Sequence, residues 1–240
     1  MFQTILDIIY PVRCPICGEI VIPKEEKICY LCRRRLPYVI GARCMKCSKP
    51  LEFEEKEYCG DCERKNYHFD RGYAVWVYNN DLKHSISNYK YHSKKEYAKF
   101  YIEEMVRLYA LSIQKLNPDV IVPVPIHKSK YRERGYNQAD ILAQGIGKEL
   151  GFPVLSQLLI RNKKTLPQKK LNDKERLHNL EEAFLYNEVA ASRYTKKINR
   201  VLLIDDIYTT GSTIEACTNI LKSNGITKVY FLVLCIGKGF

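Results

Sequence analysis

The 240-residue sequence predicts an α/β fold, a mostly parallel sheet flanked by helices, preceded by a small cysteine-rich metal-binding domain. Three observations carry that prediction. Eight of the ten cysteines fall within residues 14–62, in two blocks that obey one spacing rule. Downstream, short continuous aliphatic runs alternate with amphipathic stretches, the pattern of strands covered on both faces by helices. Hydrophobic residues make up 46% and charged residues 28%, which argues against disorder and collagen-like repeats.

The cysteines come first. Cys14, Cys17, Cys29 and Cys32 read Cys-x2-Cys-x11-Cys-x2-Cys, and Cys44, Cys47, Cys59 and Cys62 repeat this with an offset of 30 residues. Two thiolates on one tight turn grip one edge of a metal ion, and a second turn closes a tetrahedral shell of four sulfurs, so two structural Zn2+ ions are expected. A thioredoxin-type redox pair needs only one such motif. With no His or carboxylate in the set, a catalytic zinc is not expected. Sequential closure within each block and cross-bracing of Cys14 and Cys17 with Cys44 and Cys47 are both possible; the short loop of each block favours the former. Cys217 and Cys235 sit in apolar surroundings and read as core.

The repeat stops near Asn66, which sets the expected domains at 1–66 (double zinc ribbon) and 67–240. In the second, residues 73–78 (YAVWVY) read as a strand and 93–116 as a helix, with Tyr97, Tyr101, Met105, Leu108 and Leu111 at spacings of three and four. A strand at 120–124, a helix at 136–150 stopped by Gly151, a strand at 201–204, a helix at 212–224 and a strand at 229–236 follow. Ligands of such sheets sit beyond the carboxyl ends of the strands.

The chemistry concentrates at residues 201–213, VLLIDDIYTTGST. A buried strand delivers Asp205 and Asp206 to the end of the sheet, where carboxylates can hold the paired hydroxyls of a sugar or a hydrated cation. Thr209, Thr210, Gly211, Ser212 and Thr213 then lead into a helix whose N-terminal amides favour a phosphate monoester. Gly211 is expected to let backbone approach that phosphate. The simpler alternative is a helix capped by Thr209 or Ser212, which has no use for two adjacent acids. Basic residues cluster at Lys128, Lys130, Arg132 and Arg134, after a strand end, and again at Arg161, Lys163, Lys164, Lys169, Lys170, Lys174 and Arg176. Either group could neutralise a diphosphate or lie solvated in a loop.

Lys and Arg number 39 against 27 Asp and Glu, a net charge of +12, and 18 Tyr outnumber the 8 Phe and 1 Trp. Basic charge with aromatic faces suits a polyanion, single-stranded nucleic acid included. The longest apolar run, 229–237, is far below the roughly 18 residues of a membrane span. Residues 1–11 lack the pattern of a secretory signal, so a cytoplasmic location is expected.

At residues 201–213 the sequence resembles the phosphoribosyl-pyrophosphate (PRPP) motif of type I phosphoribosyltransferases, and over nearly its whole length it resembles the ComF/GntX branch, the ComFC-type, amidophosphoribosyltransferase-like competence proteins. The segments that carry the wider likeness are the cysteine blocks, PVPIHKSKYRERGYNQA (123–139) and RNKKTLPQKKLNDKERLHNLEEAF (161–184). The resemblance implies a type I phosphoribosyltransferase-like fold and PRPP with Mg2+ as ligands. It implies that Asp205 and Asp206 contact the ribose hydroxyls, directly or through Mg2+, and that Thr209 to Thr213 hold the 5-phosphate. Pro123, Val124 and Pro125 would form the pyrophosphate loop with Lys128 near the diphosphate. Arg161, Lys164, Thr165 and Gln168 match a region that could cover the site, and Lys90 and Tyr91 match a Leu-Lys-Tyr segment, with Tyr89 in place of Leu. Lys128 and Arg161 join the two acids as expected catalytic residues.

Two function classes follow. One is a PRPP-dependent phosphoribosyltransferase acting in DNA uptake. The other is a noncatalytic single-stranded-DNA-binding or adaptor protein, contacting DNA through Lys128, Lys130, Arg132 and Arg134 or serving DNA-uptake helicase and competence proteins, with its PRPP site a ligand sensor.

Overall fold

The computed structural model describes residues 11–163 and 182–238, and elements are numbered in chain order within them. The cysteine region holds two one-turn helices, α1 (Tyr30–Arg34) and α2 (Gly60–Arg64). The rest comprises β1 (Arg71–Val77), α3 (Asn80–Tyr91), α4 (Tyr97–Leu116), β2 (Val120–Pro123), α5 (Lys128–Arg134), α6 (Gln138–Leu150), β3 (Leu159–Arg161), β4 (Phe184–Tyr186), α7 (Glu188–Ser192), β5 (Arg200–Tyr208), α8 (Ser212–Ser223) and β6 (Lys228–Ile236).

β1, β6, β5 and β2 form, in that order, a four-stranded sheet that is parallel throughout. β5 lies inside it, with Ile204 opposite Pro123 of β2 and Asp205 opposite Val233 of β6. Side chains alternate along β5, so Leu202 and Ile204 join the core beneath α3, α4 and α6. Val201 and Leu203 join the opposite core, beneath α8 and the antiparallel β3–β4 pair. The four strands are the aliphatic runs read from the sequence, and Cys217 and Cys235 are fully buried.

The cysteine region straddles the β1 edge. Between the two blocks, Val39 N–H donates to Val75 O at 3.0 Å and Val77 N–H to Pro37 O at 2.7 Å, so residues 37–39 close an otherwise open strand edge. The first block packs against the α4 side of the sheet and the second against the α8 side.

Three elements depart from expectation. The helix expected at 93–116 begins at Tyr97, after a break in which Ser93 takes a left-handed φ of 54°. An additional helix, α3, precedes it, burying Leu82, Ser85, Ile86 and Tyr89 and capped by Asn79, whose side chain accepts from Leu82 N–H. The basic segment after β2 is a helix, α5, not a loop. No described helix is long and apolar enough to cross a membrane.

Candidate functional site

At the C-terminal end of β5 and β2 lies a cavity of about 360 Å³. Asp205, Asp206 and Ile207 form its floor, Val124, Pro125 and Ile126 one wall, and Lys90, Lys130, Arg134 and Arg161 its basic lining. His127, Ser129, Gln138 and Thr213 complete it. Both acids are buried, at 9% and 3% exposure, yet both reach the cavity.

The two carboxylates have opposite surroundings. Asp206 forms an ion pair with Lys90 of α3 and accepts a 3.4 Å hydrogen bond from Gln138 Nε2 of α6. Burial alone would raise its pKa, but the Lys90 ammonium beside it outweighs burial and holds it below the usual carboxylate range. Lys90 is raised in turn, Asp206 overcoming the burial that would lower it. Gln138 Oε1 accepts from Arg134 Nη1 at 2.7 Å, and Arg134 Nη2 donates to Tyr91 Oη at 3.0 Å, so a polar chain runs from the acid to the rim. Asp205 forms no such ion pair among the described residues. Burial first, then the charge of Asp206, push its pKa well above the ordinary value, so of the two it gives up its proton less readily.

Beside the acids, residues 207–214 form a smaller concavity that shares Ile207 and Thr213 with the first. Thr209, Thr210, Gly211 and Ser212 lie here, and Thr210 Oγ1 and Ser212 Oγ are 3.0 Å apart. Gly211 is the N-cap of α8 and no side chain caps the helix, so neither Thr209 nor Ser212 serves the capping role that was the simpler alternative. Amides of a 12-residue helix are thereby left for an anion. The need for glycine at 211 has a different origin from the one expected. Its φ is +79°, and an added Cβ would meet the Tyr208 hydroxyl and the Tyr67 ring, 3.1 Å away, on the side of the aromatic core.

The structure brings Asp205, Asp206, Val124, Pro125, Lys130, Arg134, Arg161 and Thr213 to one cavity and leaves others outside it. Pro123 is within β2 and does not line it. Lys128, expected near a diphosphate, is exposed and absent from the lining, as is Arg132. Because 128–134 is helical, residues four apart share a face: 130 and 134 turn to the cavity, 128 and 132 away from it. His127 lines the cavity but caps α5, its Nδ1 accepting from Ser129 N–H at 3.1 Å. Arg161 is drawn into the site by β3, its guanidinium 5.2 Å over the Phe184 ring. Lys164, Thr165, Gln168, Lys169, Lys170, Lys174 and Arg176 lie outside the described residues. Sequence reasoning missed Gln138, whose signal was a polar residue in the first turn of an otherwise apolar helix face. Eight of the 18 tyrosines belong to the core, with Tyr67, Tyr73, Tyr89, Tyr97, Tyr101, Tyr109, Tyr136 and Tyr208 all buried, while Tyr30, Tyr58, Tyr91 and Tyr131 are exposed.

The cysteines close sequentially. In each block the four sulfur atoms lie within 4.8 Å of one another. Individual Sγ separations of 3.4 and 3.5 Å in the first block and 3.6 Å in the second approach the roughly 3.8 Å edge of a tetrahedron built on Zn–S bonds of about 2.3 Å. The donors present fit two structural zinc ions.

Fold and sites together define a parallel α/β protein with two four-cysteine metal centres and an acid-floored basic cavity at the strand ends. Residues 5–63 match the family described as double zinc ribbon domain. Competence protein F of Haemophilus influenzae (strain Rd) is 30% identical over 229 residues, covering 90% of this chain and 93% of that protein. Competence protein ComFC of Bacillus subtilis (strain 168) is 29% identical over 210 residues, covering 84% and 80%. The chain belongs to the competence protein F family. A purine phosphoribosyltransferase from Pyrococcus horikoshii superposes with a TM-score of 0.35 at 17% identity, over 57% of this chain and 73% of that one.

Proposed function

We propose that the cavity binds PRPP and that the protein works in DNA uptake, as a phosphoribosyltransferase or as a PRPP sensor. The observation that carries the reading is the junction at Thr213. An acid pair suited to sugar hydroxyls lines one cavity, and the neighbouring concavity, which shares Ile207 and Thr213 with it, holds an uncapped helix start suited to a phosphate monoester. The resemblance of residues 201–213 to the PRPP motif supports it, and the word "competence" in the names of both relatives supports the cellular role.

In this reading the two carboxyl groups hold the ribose hydroxyls, Asp206 as an acceptor held by Lys90 and Asp205, the acid that keeps its proton more readily, able to donate as well while it is protonated. The amides and hydroxyls of 209–213 hold the 5-phosphate, and Lys130, Arg134 and Arg161 face the diphosphate. As the bond from C1 to the diphosphate oxygen breaks, charge grows on the leaving group, and cations already fixed in place stabilise it without reorganising. Asp206 already faces the Lys90 ammonium, so Mg2+ accompanying the diphosphate would reach an acid pair that is partly compensated beforehand. The division proposed is a site on residues 67–240 braced by 1–66.

A second reading rests on the outer face of α5. Lys128, Tyr131 and Arg132 are exposed, and neither cation has a carboxylate partner among the described residues. A single-stranded DNA backbone could follow that face with a base on Tyr131. Its affinity should then fall steeply with salt and with loss of Lys128 and Arg132; a flat salt response contradicts it.

A pyrophosphate-release assay with PRPP, Mg2+ and a panel of amine and nucleobase acceptors tests the main reading. Acceptor-dependent release establishes a transferase. Binding without release leaves the sensor, and neither binding nor release refutes both forms.

A further inference from the structure

The two cysteine blocks share a spacing rule but not a role. We infer that the second block positions the anion loop at 209–213, with Tyr67 as the positioning residue, so that metal in Cys44, Cys47, Cys59 and Cys62 and phosphate at the loop are coupled. This rests on the PRPP reading for the identity of the anion and extends it to a control element.

The link is continuous. Tyr67, five residues after Cys62, is 6% exposed, and its hydroxyl donates to Thr210 O at 2.5 Å. A trans peptide is planar, with its carbonyl and N–H on opposite sides. Fixing Thr210 O against Tyr67 therefore turns the Gly211 N–H away from the ribbon and sets the start of α8. The same tyrosine is held from the cysteine side, where Lys46, inside the Cys44-x2-Cys47 turn, donates from Nζ to Tyr67 O at 2.5 Å. Lys49 ends that knuckle, its carbonyl accepting from Cys44 N–H at 2.8 Å. It is 4% exposed, 2.6 Å from Asp61 Oδ2, and its ammonium lies 5.9 Å over the Tyr208 ring. Tyr208 packs beneath Gly211, and its buried hydroxyl has no hydrogen-bond partner among the described residues.

A second tether acts on the same helix. His68 donates its backbone N–H to both oxygens of Glu215 at 2.9 Å, and its Nδ1 lies 2.5 Å from Oε1. Glu215, 2% exposed, stands in the first turn of α8. The turn after Cys47 is itself committed to this packing. Ser48 holds a left-handed φ of 68° where the first block has Gly18 at 79°, and its hydroxyl donates to Gly72 O at 2.7 Å. The first block ties elsewhere, through Lys27 to Glu103 and Arg33 to Glu104 on α4.

Three single variants of the full chain read the coupling: Tyr67→Phe, Cys62→Ser in the second block, and Cys17→Ser in the first. PRPP affinity is measured by calorimetry with Mg2+, zinc content by metal analysis, and exchange of the 209–213 amides by hydrogen–deuterium mass spectrometry. Tyr67→Phe should keep the wild-type zinc content, weaken PRPP roughly fivefold to tenfold, the scale of one lost hydrogen bond, and speed exchange in the loop. Cys62→Ser should lose one zinc and do at least as much. Cys17→Ser should lose one zinc and leave affinity within about twofold and loop exchange unchanged. Wild-type loop exchange in Tyr67→Phe, or equal effects of the two cysteine variants, overturns the coupling. Absence of PRPP binding by the wild type refutes the ligand instead, and the exchange data still decide the coupling. If Cys62→Ser does not fold, Tyr67→Phe alone decides it.

Discussion

Asp205 and Asp206 are adjacent in sequence and project to opposite faces of the same strand, and the two regions they enter solve the burial of a carboxylate differently. On the α3 and α6 side, Asp206 meets Lys90 and a chain through Gln138 and Arg134 to Tyr91, so its charge is kept. On the α8 side, Asp205 accepts a 2.9 Å bond from Asp206 N–H and forms no ion pair among the described residues, so burial pushes its pKa up. The lesson is that one acid is part of the stability of the fold while the other is carried at a cost, the usual mark of a group kept for a ligand.

The largest effect expected from this contrast is at Lys90. Lys90→Met leaves Asp206 buried without its cation, a loss of about 3 kcal/mol that urea unfolding would register as a lower midpoint at unchanged slope. A loss below about 1 kcal/mol would mean that the pair is solvated and that the two sides do not differ.

The acids themselves should then respond with opposite signs. Asp206→Asn is expected to destabilise by about 1–2 kcal/mol, because an amide oxygen remains for Lys90 but the charge does not. Asp205→Asn is expected to stabilise by about 1 kcal/mol, a rise of ~2–4 °C in Tm for a chain of this size, while weakening PRPP. The pH dependence separates them further. Asp205 has a folded pKa above that of the unfolded chain, so the folded state retains a proton the unfolded state has lost, and stability falls as pH rises through that folded value. Asp206 is lowered, so its contribution is present above the unfolded pKa of about 3.9 and is lost as pH falls through the folded one. Asp205→Asn should remove the decline on the rising side and Asp206→Asn the loss on the acid side, in thermal scans across pH.

A last comparison, read in ligand affinity and not in stability, separates the two faces of α5. Lys130→Ala with Arg134→Ala should weaken PRPP by more than about tenfold, whereas Lys128→Ala should change it less than about twofold. Equal losses would mean that the helix presents its bases to the ligand without regard to face.

How far this was legible in the sequence depended on the kind of signal. The four sheet strands could be read because continuous aliphatic runs have few other uses, and the acid pair because polar residues at the end of such a run are costly without a purpose. The short loop of each cysteine block favours the sequential closure that the structure shows, without deciding it against cross-bracing. Lys90 could be noted only through a family likeness, because α3 carries just three large apolar residues on its buried face in NDLKHSISNYKY and buries Ser85 as well, which hydrogen-bonds Tyr101 at 2.6 Å. The basic run 128–134 has no apolar periodicity that would mark it as a helix, and without the helix Lys128 and Lys130 cannot be told apart. The brace from Tyr67 to Thr210 spans 143 residues and leaves no local pattern.

The central claim is that the acid-floored cavity and the uncapped start of α8 are one PRPP site. Titration calorimetry of the wild type and Asp206→Asn with PRPP and Mg2+ addresses it directly, with ribose 5-phosphate as a second ligand. The account predicts saturable binding of PRPP by the wild type, weaker binding of ribose 5-phosphate, and at least a roughly tenfold loss for PRPP in the variant. No heat with PRPP, or equal affinity in wild type and variant, would contradict it.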